Sequence, residues 1–166
     1  TKIAMITPQQ ANELIRKRRA IFPKTYVDKP IPKAIIEEVL ENANWAPTHK
    51  HTEPWRFRVF TGDARRRLGA YLADWYKSHT PAEKFSEKKY EKNLNKPLQS
   101  GCVIAICMQR DPQERVPEWE EIAAVSCAVH NMWLPCTAHD IGAYWSSSKS
   151  ILQAEEFLGL QEGERC

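Results

Sequence analysis

The chain has few glycines, and it lacks the glycine-rich motifs that hold nucleotide phosphates in many enzymes. Its six glycines are scattered over 166 residues, and neither GxGxxG nor GxxxxGK[ST] occurs. A Rossmann site or a P-loop is therefore not expected. If a nucleotide-like cofactor binds here, side chains must hold its phosphate. Arginine suits that task because its guanidinium donors form a fixed fork.

The cysteines and histidines do not form the patterns of a disulfide framework or a metal site. The five cysteines are odd in number and include no CxxC pair. We expect them to be reduced, with Cys102 and Cys107 acting as small buried hydrophobic residues. Four histidines, His49, His51, His130 and His139, have no zinc-ligand spacing, so no metal is expected. The Ser146-Ser147-Ser148 run lacks the GxSxG elbow of a serine hydrolase.

The charge is nearly balanced, and long apolar runs are absent. A formal charge of +3 from 24 basic and 21 acidic residues argues against a dedicated nucleic-acid or membrane surface. No apolar run reaches the length that crosses a bilayer, and Thr1 to Thr7 lacks the apolar stretch of a secretory signal. We therefore expect a cytoplasmic protein that binds neither nucleic acid nor membrane.

Helices and strands alternate along the chain. Capping and apolar spacing predict helices from Thr7 to about Arg19, from Ala34 to about Ala46, from Asp63 through Trp75, from Pro81 to about Asn95, from Glu118 to His139 and from Ile151 to Leu158. Alternating or continuous apolar residues predict strands at 55–60 and 102–108, and a short strand at 143–147. Asp63 is expected to cap its helix, and Pro135 to kink or split the longest one. Without a repeat or linker, residues 1–166 are expected to form one α+β domain.

Two segments concentrate polar donors. Arg18-Arg19, followed by the small Ala20, ends the first helix, and it suits either a phosphate or the exposed basic end of a helix. The 44–57 stretch runs from a helix stopped by Pro47 through a polar loop into a strand. Donors in that loop could tune a flavin, whose pyrimidine edge gains negative charge on reduction. The alternative is that Trp45 and Trp55 are core or interface residues and His49 is an exposed loop residue.

The order of these motifs resembles the nitroreductase family, whose members usually show RRS, AP[SD] and PWRF. The corresponding motifs are Arg18-Arg19-Ala20, Ala46-Pro47-Thr48-His49 and Pro54-Trp55-Arg56-Phe57. Val116 to Glu120, Asn131 to Leu134 and Gly142 to Ser147 resemble that family's central helix and the strand after it. The loop is especially similar to that of small single-domain members with an AP-x-H-K sequence.

The resemblance implies a fold, a cofactor and a set of contacts. The fold would be a mixed, largely antiparallel sheet wrapped by helices, in an intertwined homodimer with two FMN molecules at the subunit interface. Arg18 and Arg19 would contact the phosphate and ribityl region, with Ala20 in place of the usual serine. Trp45 and His49 would reach the flavin from one subunit. Trp145, Ser146 and Ser147 would line it from the other side.

The resemblance also implies an activity. NAD(P)H would reduce FMN and leave, and a nitroaromatic, quinone or similar acceptor would then bind in a ping-pong cycle that needs no conventional acid or base side chain. The sequence differs from the family at Trp45, where related proteins can have an arginine, and it lacks the family's usual C-terminal strand after Glu164. The alternative function is a flavin-binding or interaction protein of the same fold without redox turnover.

Overall fold

The computed structural model describes residues 5–166. Residues 1–4, which belong to the Thr1 to Thr7 segment considered above for a secretory signal, lie outside the described residues. Helix α1 spans Pro8–Lys17 and begins with the expected capping box. The hydroxyl of Thr7 accepts a hydrogen bond from the Gln10 backbone N–H at 3.2 Å, and the Gln10 side chain accepts one from the Thr7 N–H at 2.9 Å. This reciprocal pair satisfies two of the free amides at the helix start.

Most of the predicted elements are present, with shifted ends, but the single helix predicted over 151–158 is two short helices. The helices are α2 (Lys33–Ala43), α3 (Asp63–Ser78), α4 (Glu87–Asn95), α5 (Glu118–Ala138), α6 (Lys149–Leu152) and α7 (Glu155–Leu158). The strands are β1 (Trp55–Phe60), β2 (Val103–Gln109) and β3 (Glu164–Arg165). Strand β3 is a two-residue element that the sequence pattern did not predict.

The three strands form an antiparallel sheet with β2 in the centre, which confirms the α+β class. Trp55 lies opposite Met108 in the β1–β2 ladder, and Phe60 lies opposite Val103. Strand β3 pairs with the other edge of β2, with Met108 opposite Arg165. The parallel component expected of a mixed sheet is a single bridge between Ala20 and Ala143.

Strand β2 is covered on both faces, as its continuous apolar sequence predicts. One core cluster packs Met108 against α2 and α5 and includes the buried Trp55, whose indole N–H donates to Asn44 Oδ1 at 3.0 Å. The other cluster packs Ala105 and Cys107 against residues of the α6–α7 region. Trp55 is therefore a core residue, as one of its two readings proposed.

Helix α5 is one continuous element with Pro135 inside it, so of the two outcomes expected there, a kink or a split, the split does not occur. It is also only half buried. Glu121, Ala124, Val125, Ala128, Val129 and Met132 form its buried face. The opposite face, at helical spacing, exposes Trp119 and Ile122, which are 67% and 51% exposed.

Three local expectations are wrong. Gly62, with φ of +50°, occupies the N-cap of α3, and Asp63 is the first helical residue, so Asp63 does not cap. The predicted helix from Pro81 begins as a 3₁₀ turn at Ala82–Lys84, and α4 starts only at Glu87. The predicted strand at 143–147 is reduced to the bridge at Ala143, because no further strand lies beside it to continue a ladder.

Candidate functional site

Arg18 caps the C-terminal end of α1 and lies against α5. Its guanidinium carbon is 4.6 Å from the ring centroid of Trp133, a cation–π distance. The Arg19 side chain turns back instead, donating to the Arg18 carbonyl at 2.8 Å and to the Arg16 carbonyl. The end of a helix leaves carbonyls without partners, which explains the direction that Arg19 takes. The two arginines are adjacent in sequence but occupy different environments.

The bridge between Ala20 and Ala143 sets the chain after α1 beside the chain after α5. The Ile21 N–H donates to the Ala143 carbonyl at 3.0 Å. Gly142 permits this approach, because a Cβ there would lie 2.8 Å from Tyr26 Cε1 and 2.9 Å from Ile21 Cγ2. Because the bridge is parallel, the chain after Ala143 runs alongside the chain after Ala20, and the Tyr144 ring lies 5.2 Å from that of Phe22. Trp145-Ser146-Ser147 follows Tyr144 directly. Trp145 is 48% exposed, and both serines are exposed.

Trp45 stands at the edge of a groove where α1, the end of α2 and α5 meet. The indole is 78% exposed. The groove has a volume of about 300 Å³, and Leu14, Asn131 and Leu134 are among its other lining residues. Trp45 is therefore not a core residue, in contrast to Trp55. A large apolar ring that is exposed to solvent is suited to contact with a ligand or with another protein surface.

His49 belongs to a loop with unusual backbone conformations. Lys50, His51 and Glu53 have φ values of 53°, 53° and 42°, in the left-handed region that non-glycine residues rarely adopt. Such strain persists where the surrounding structure fixes it, and it is common at functional sites. His49 Nδ1 lies 2.7 Å from Glu120 Oε2 on the first turn of α5, which ties the loop to that helix.

The single chain does not gather all predicted site residues in one place. Arg18 contacts α5 at Trp133, whereas His49 contacts it at Glu120. Thirteen residues of helix separate these two contact points, a distance of about 20 Å at 1.5 Å per residue. Helix α5 thus contacts two candidate half-sites, the Arg18 half-site at Trp133 and the His49 half-site at Glu120. The partners Glu120 and Trp133 lie within the resemblance motifs, but nothing in the local sequence showed which side chains they contact.

A second cavity adjoins the Arg18 end of the molecule, and sequence reasoning missed it. Its volume is about 410 Å³. The rings of Phe22 and Tyr144 form one wall, with centroids 5.2 Å apart. Lys24, Lys92 and Lys96 supply three cationic side chains to the rim. The spacing of Lys92 and Lys96 on a polar helix was the available signal, but it indicates only an exposed face.

Ion pairs, not metal clusters, are the strongest polar groupings of the described chain. Within residues 5–166, no three His, Cys, Asp or Glu side chains meet in a group that could hold a metal ion. The same stretch contains no helix that is long and apolar enough to cross a membrane. Asp111 accepts from Arg115 Nε at 2.8 Å, and this guanidinium lowers the pKa of the Asp111 carboxyl to about 2. The buried Glu121 accepts from the side chain of Arg110 and, at 2.9 Å, from the Asp111 N–H.

Curated sequences similar to this chain come from bacteria. The chain is 31% identical over 156 residues to "Putative NAD(P)H nitroreductase YfhC" of Bacillus subtilis, covering 92% of this chain and 78% of that protein. It is 28% identical over 138 residues to "Putative NAD(P)H nitroreductase YdjA" of Escherichia coli K12, covering 82% of this chain and 72% of the relative.

Solved structures share its fold. A nitroreductase-like family protein from Bacillus cereus superposes with a TM-score of 0.77 at 27% identity, covering 98% of this chain and 83% of the other. A "putative nitroreductase in complex with fmn" from Desulfovibrio desulfuricans gives 0.67 at 26% identity, covering 97% and 81%. The sequence model of the nitroreductase family matches residues 15–166. This chain therefore belongs to the nitroreductase family.

Proposed function

We propose that this protein is an FMN-dependent oxidoreductase that passes reducing equivalents from NAD(P)H to a small acceptor such as a nitroaromatic or a quinone. Family membership supports this proposal, as do the names of the relatives and the FMN in the Desulfovibrio desulfuricans structure. The observation that carries it is the Ala20–Ala143 bridge. This bridge joins the end of the 18–20 segment to Ala143, two residues before the 145–147 segment, so the two predicted cofactor segments meet near this point of the fold.

The residues present fit the chemistry of FMN. Arg18 is half-buried against Trp133 and offers guanidinium donors to a phosphate. The exposed hydroxyls of Ser146 and Ser147 suit the ribityl chain, and the exposed rings of Trp45 and Trp145 suit a planar ring system. Ala20 contributes through its backbone, whose neighbours already bond to Ala143. Arg19 uses Nη1 for its two carbonyl contacts, so in this conformation a phosphate would bind to its Nη2 and Nε donors.

The protein's contribution would be position and electrostatics, and bound FMN would supply the two-electron redox chemistry. His49, oriented by Glu120, would hold a donor toward the pyrimidine edge from the second half-site. Donor and acceptor would occupy the same face in turn, which gives ping-pong kinetics. No side chain is assigned as a conventional acid or base.

The functional unit would be a homodimer of a single domain spanning residues 1–166. Its interface would include the exposed stripe of α5 with Trp119 and Ile122, together with the groove around Trp45. In such a dimer, the His49 half-site of one copy would complete the Arg18 half-site of the other, which would account for the separation of about 20 Å between their contact points on α5 of one chain. We place this unit in the cytoplasm.

The test begins with the visible spectrum of the purified protein, alone and after addition of FMN. Under anaerobic conditions, NADH or NADPH should bleach the flavin, and a nitroaromatic or quinone should restore its absorbance. Parallel initial-rate lines would support the ping-pong order. If the protein binds FMN and neither nucleotide bleaches it, the alternative is favoured, a flavin-binding protein without turnover. Two features point to that alternative: Ala20 stands where the family usually has a serine, and the Arg19 side chain bonds to a backbone carbonyl. A protein that does not bind FMN contradicts both.

A further inference from the structure

The register of the β2–β3 ladder places two cysteines opposite each other. Met108 pairs with Arg165, and Gln109 pairs with Glu164. Continued by one residue, the same antiparallel register sets Cys107 opposite Cys166. The Arg110 N–H donates a hydrogen bond to the Gly163 carbonyl at 2.9 Å, so Arg110 and Gly163 form a hydrogen-bonded pair. Hydrogen-bonded and non-hydrogen-bonded pairs alternate along an antiparallel ladder, so position 108 is in a hydrogen-bonded pair and positions 109 and 107 are not. Cys107 and Cys166 therefore form a non-hydrogen-bonded pair, the kind in which cross-strand side chains approach most closely.

Side-chain packing agrees with this register. Cys107 is 1% exposed in the core cluster with Ala154 and Leu158, and the half-buried Cys166 packs on the same cluster. The Cys166 sulfur lies 3.2 Å from the carbonyl oxygen of Ile106, directly over β2. The opposed Cα atoms of such a pair are about 4.5 Å apart, which is within the range that a disulfide can bridge.

The two thiols are also electronically unequal. Interaction with the Cys107 thiol lowers the pKa of Cys166, and the same interaction raises the pKa of Cys107. Burial adds to the rise at Cys107. A partly accessible sulfur with a lowered pKa beside a buried second thiol is the arrangement of an attacking cysteine and a resolving cysteine.

We propose that Cys107 and Cys166 form a redox-active cross-strand dithiol, which closes to a disulfide in the presence of a peroxide and fastens β3 to β2. This assignment does not depend on flavin binding or on turnover. The structure confirms Cys107 as a small buried residue of the core, and the proposal adds a redox role to it.

The reaction balances with one hydrogen peroxide per pair. The Cys166 thiolate attacks one peroxide oxygen, the O–O bond breaks, and the departing hydroxide takes the proton released by the thiol to leave as water. The product at Cys166 is a sulfenic acid. The Cys107 sulfur then attacks the Cys166 sulfur, its S–H proton leaves with the hydroxyl group as a second water, and the S–S bond forms. Two thiols are oxidised by two electrons, and one peroxide is reduced to two waters.

The other cysteines provide contrast within the same chain. Burial raises the pKa of Cys102 and of Cys136 to about 11, so neither has the lowered pKa that suits Cys166 to the first attack on peroxide. Cys127 is exposed on α5, away from the ladder. Cys127→Ser is thus the matched control for loss of one thiol.

The experiment treats the full chain with one equivalent of hydrogen peroxide and maps its peptides without reduction by mass spectrometry. We expect a mass loss of about two hydrogens localised to a Cys107–Cys166 link. The loss should be reversed by dithiothreitol, retained in Cys127→Ser and absent in Cys166→Ser. Because the link closes a loop of about 60 residues, oxidation should raise Tm by roughly 5 to 10 °C.

Three outcomes would overturn the proposal. Both thiols could remain open to alkylation after peroxide treatment, Cys166 could proceed to sulfinic acid while Cys107 stays a thiol, or the link could join Cys102 to Cys136. If Cys166→Ser fails to fold, the variant in which Cys102, Cys127 and Cys136 are all replaced by alanine retains only the proposed pair. Its peptide map then shows whether peroxide links Cys107 to Cys166. Unchanged flavin reduction in any of these variants leaves the proposed function intact, so the two proposals can fail separately.

Discussion

His49 Nδ1 lies 2.7 Å from Glu120 Oε2, and this contact joins the strained loop after α2 to the first turn of α5. The pair fixes the direction of the His49 ring across a sequence separation of 71 residues. If His49 faces the flavin, as proposed, it stabilises the negative charge that reduction adds to the ring. Its position is then part of the cofactor's electronic environment.

We therefore predict that His49→Ala lowers the reduction potential of bound FMN by about 30 to 60 mV, the two-electron equivalent of losing a charged hydrogen bond. Spectroelectrochemistry or equilibration with a reference dye measures the shift. His51→Ala, which changes an exposed histidine in the same loop, should leave the potential unchanged. If bound FMN has the same reduction potential in the unchanged protein, His49→Ala and His51→Ala, the assignment of His49 to the flavin site is wrong.

Arg18→Ala should weaken FMN binding by about 1.5 to 3 kcal/mol, through loss of a charge-assisted contact with the phosphate. Arg18→Lys should retain part of the affinity, because it keeps the charge but loses the guanidinium fork over Trp133. Fluorescence titration with FMN measures both. The control is Arg66→Ala at an exposed position of α3, where the Arg66 Nε lies 3.9 Å from Asp63. A titration in which Arg18→Ala binds like this control would contradict the phosphate assignment.

Gly142→Ala should disturb the Ala20–Ala143 bridge, because the added Cβ would press on Tyr26 and Ile21. We expect lower thermal stability and, in the folded fraction, FMN affinity reduced by about tenfold or more, since a misplacement of about 1 Å in a site can cost that much. Gly69→Ala is the matched control, because its Cβ would collide with the Leu94 carbonyl between α3 and α4. That variant should lose stability but keep the affinity of its folded fraction. Equal affinity in both variants would show that the bridge does not position the site.

The Asp111–Arg115 pair predicts a specific dependence of stability on pH. The guanidinium of Arg115 holds the pKa of the folded Asp111 carboxyl at about 2, below its ordinary value of 3.8. A lowered folded pKa means that the pair's contribution is complete above pH 3.8 and is lost as the pH falls toward 2. Asp111→Asn should therefore lower the free energy of unfolding near neutral pH, and its difference from the unchanged protein should narrow in acid.

Urea unfolding near neutral pH and at two acidic values between about 4 and 3 measures this difference. Asp63→Asn is the control, because its carboxylate pairs with Arg67 at an exposed position. Exposed ion pairs contribute little to stability, so that variant should show a small effect at every pH. If the difference in the free energy of unfolding between Asp111→Asn and the unchanged protein stays constant from neutral to acidic pH, the ion pair is not its cause.

Local chemistry in the sequence determined the main elements. The Thr7 and Gln10 capping box set the start of α1, and the alternating run Trp55–Phe60 set β1 at both ends. These two predictions are correct because the interactions that set each boundary are between residues close together in the sequence. Asp63 failed as a cap because Gly62, with its positive φ, took the position before it.

The candidate site shows the same division. The order of the motifs was enough to place the chain in its family, and the resemblance predicted Arg18, His49 and the 145–147 segment as cofactor residues. It could not show that Arg18 packs on Trp133, that His49 pairs with Glu120, or that the two contacts fall at opposite ends of one helix. Nor could it show that Cys107 faces Cys166, because a strand register depends on which edges meet. The sequence by itself determined which chemical groups the protein has and the local structure around each of them. Tertiary packing alone decided which of those groups are neighbours, because contacts between distant residues depend on how the elements pack.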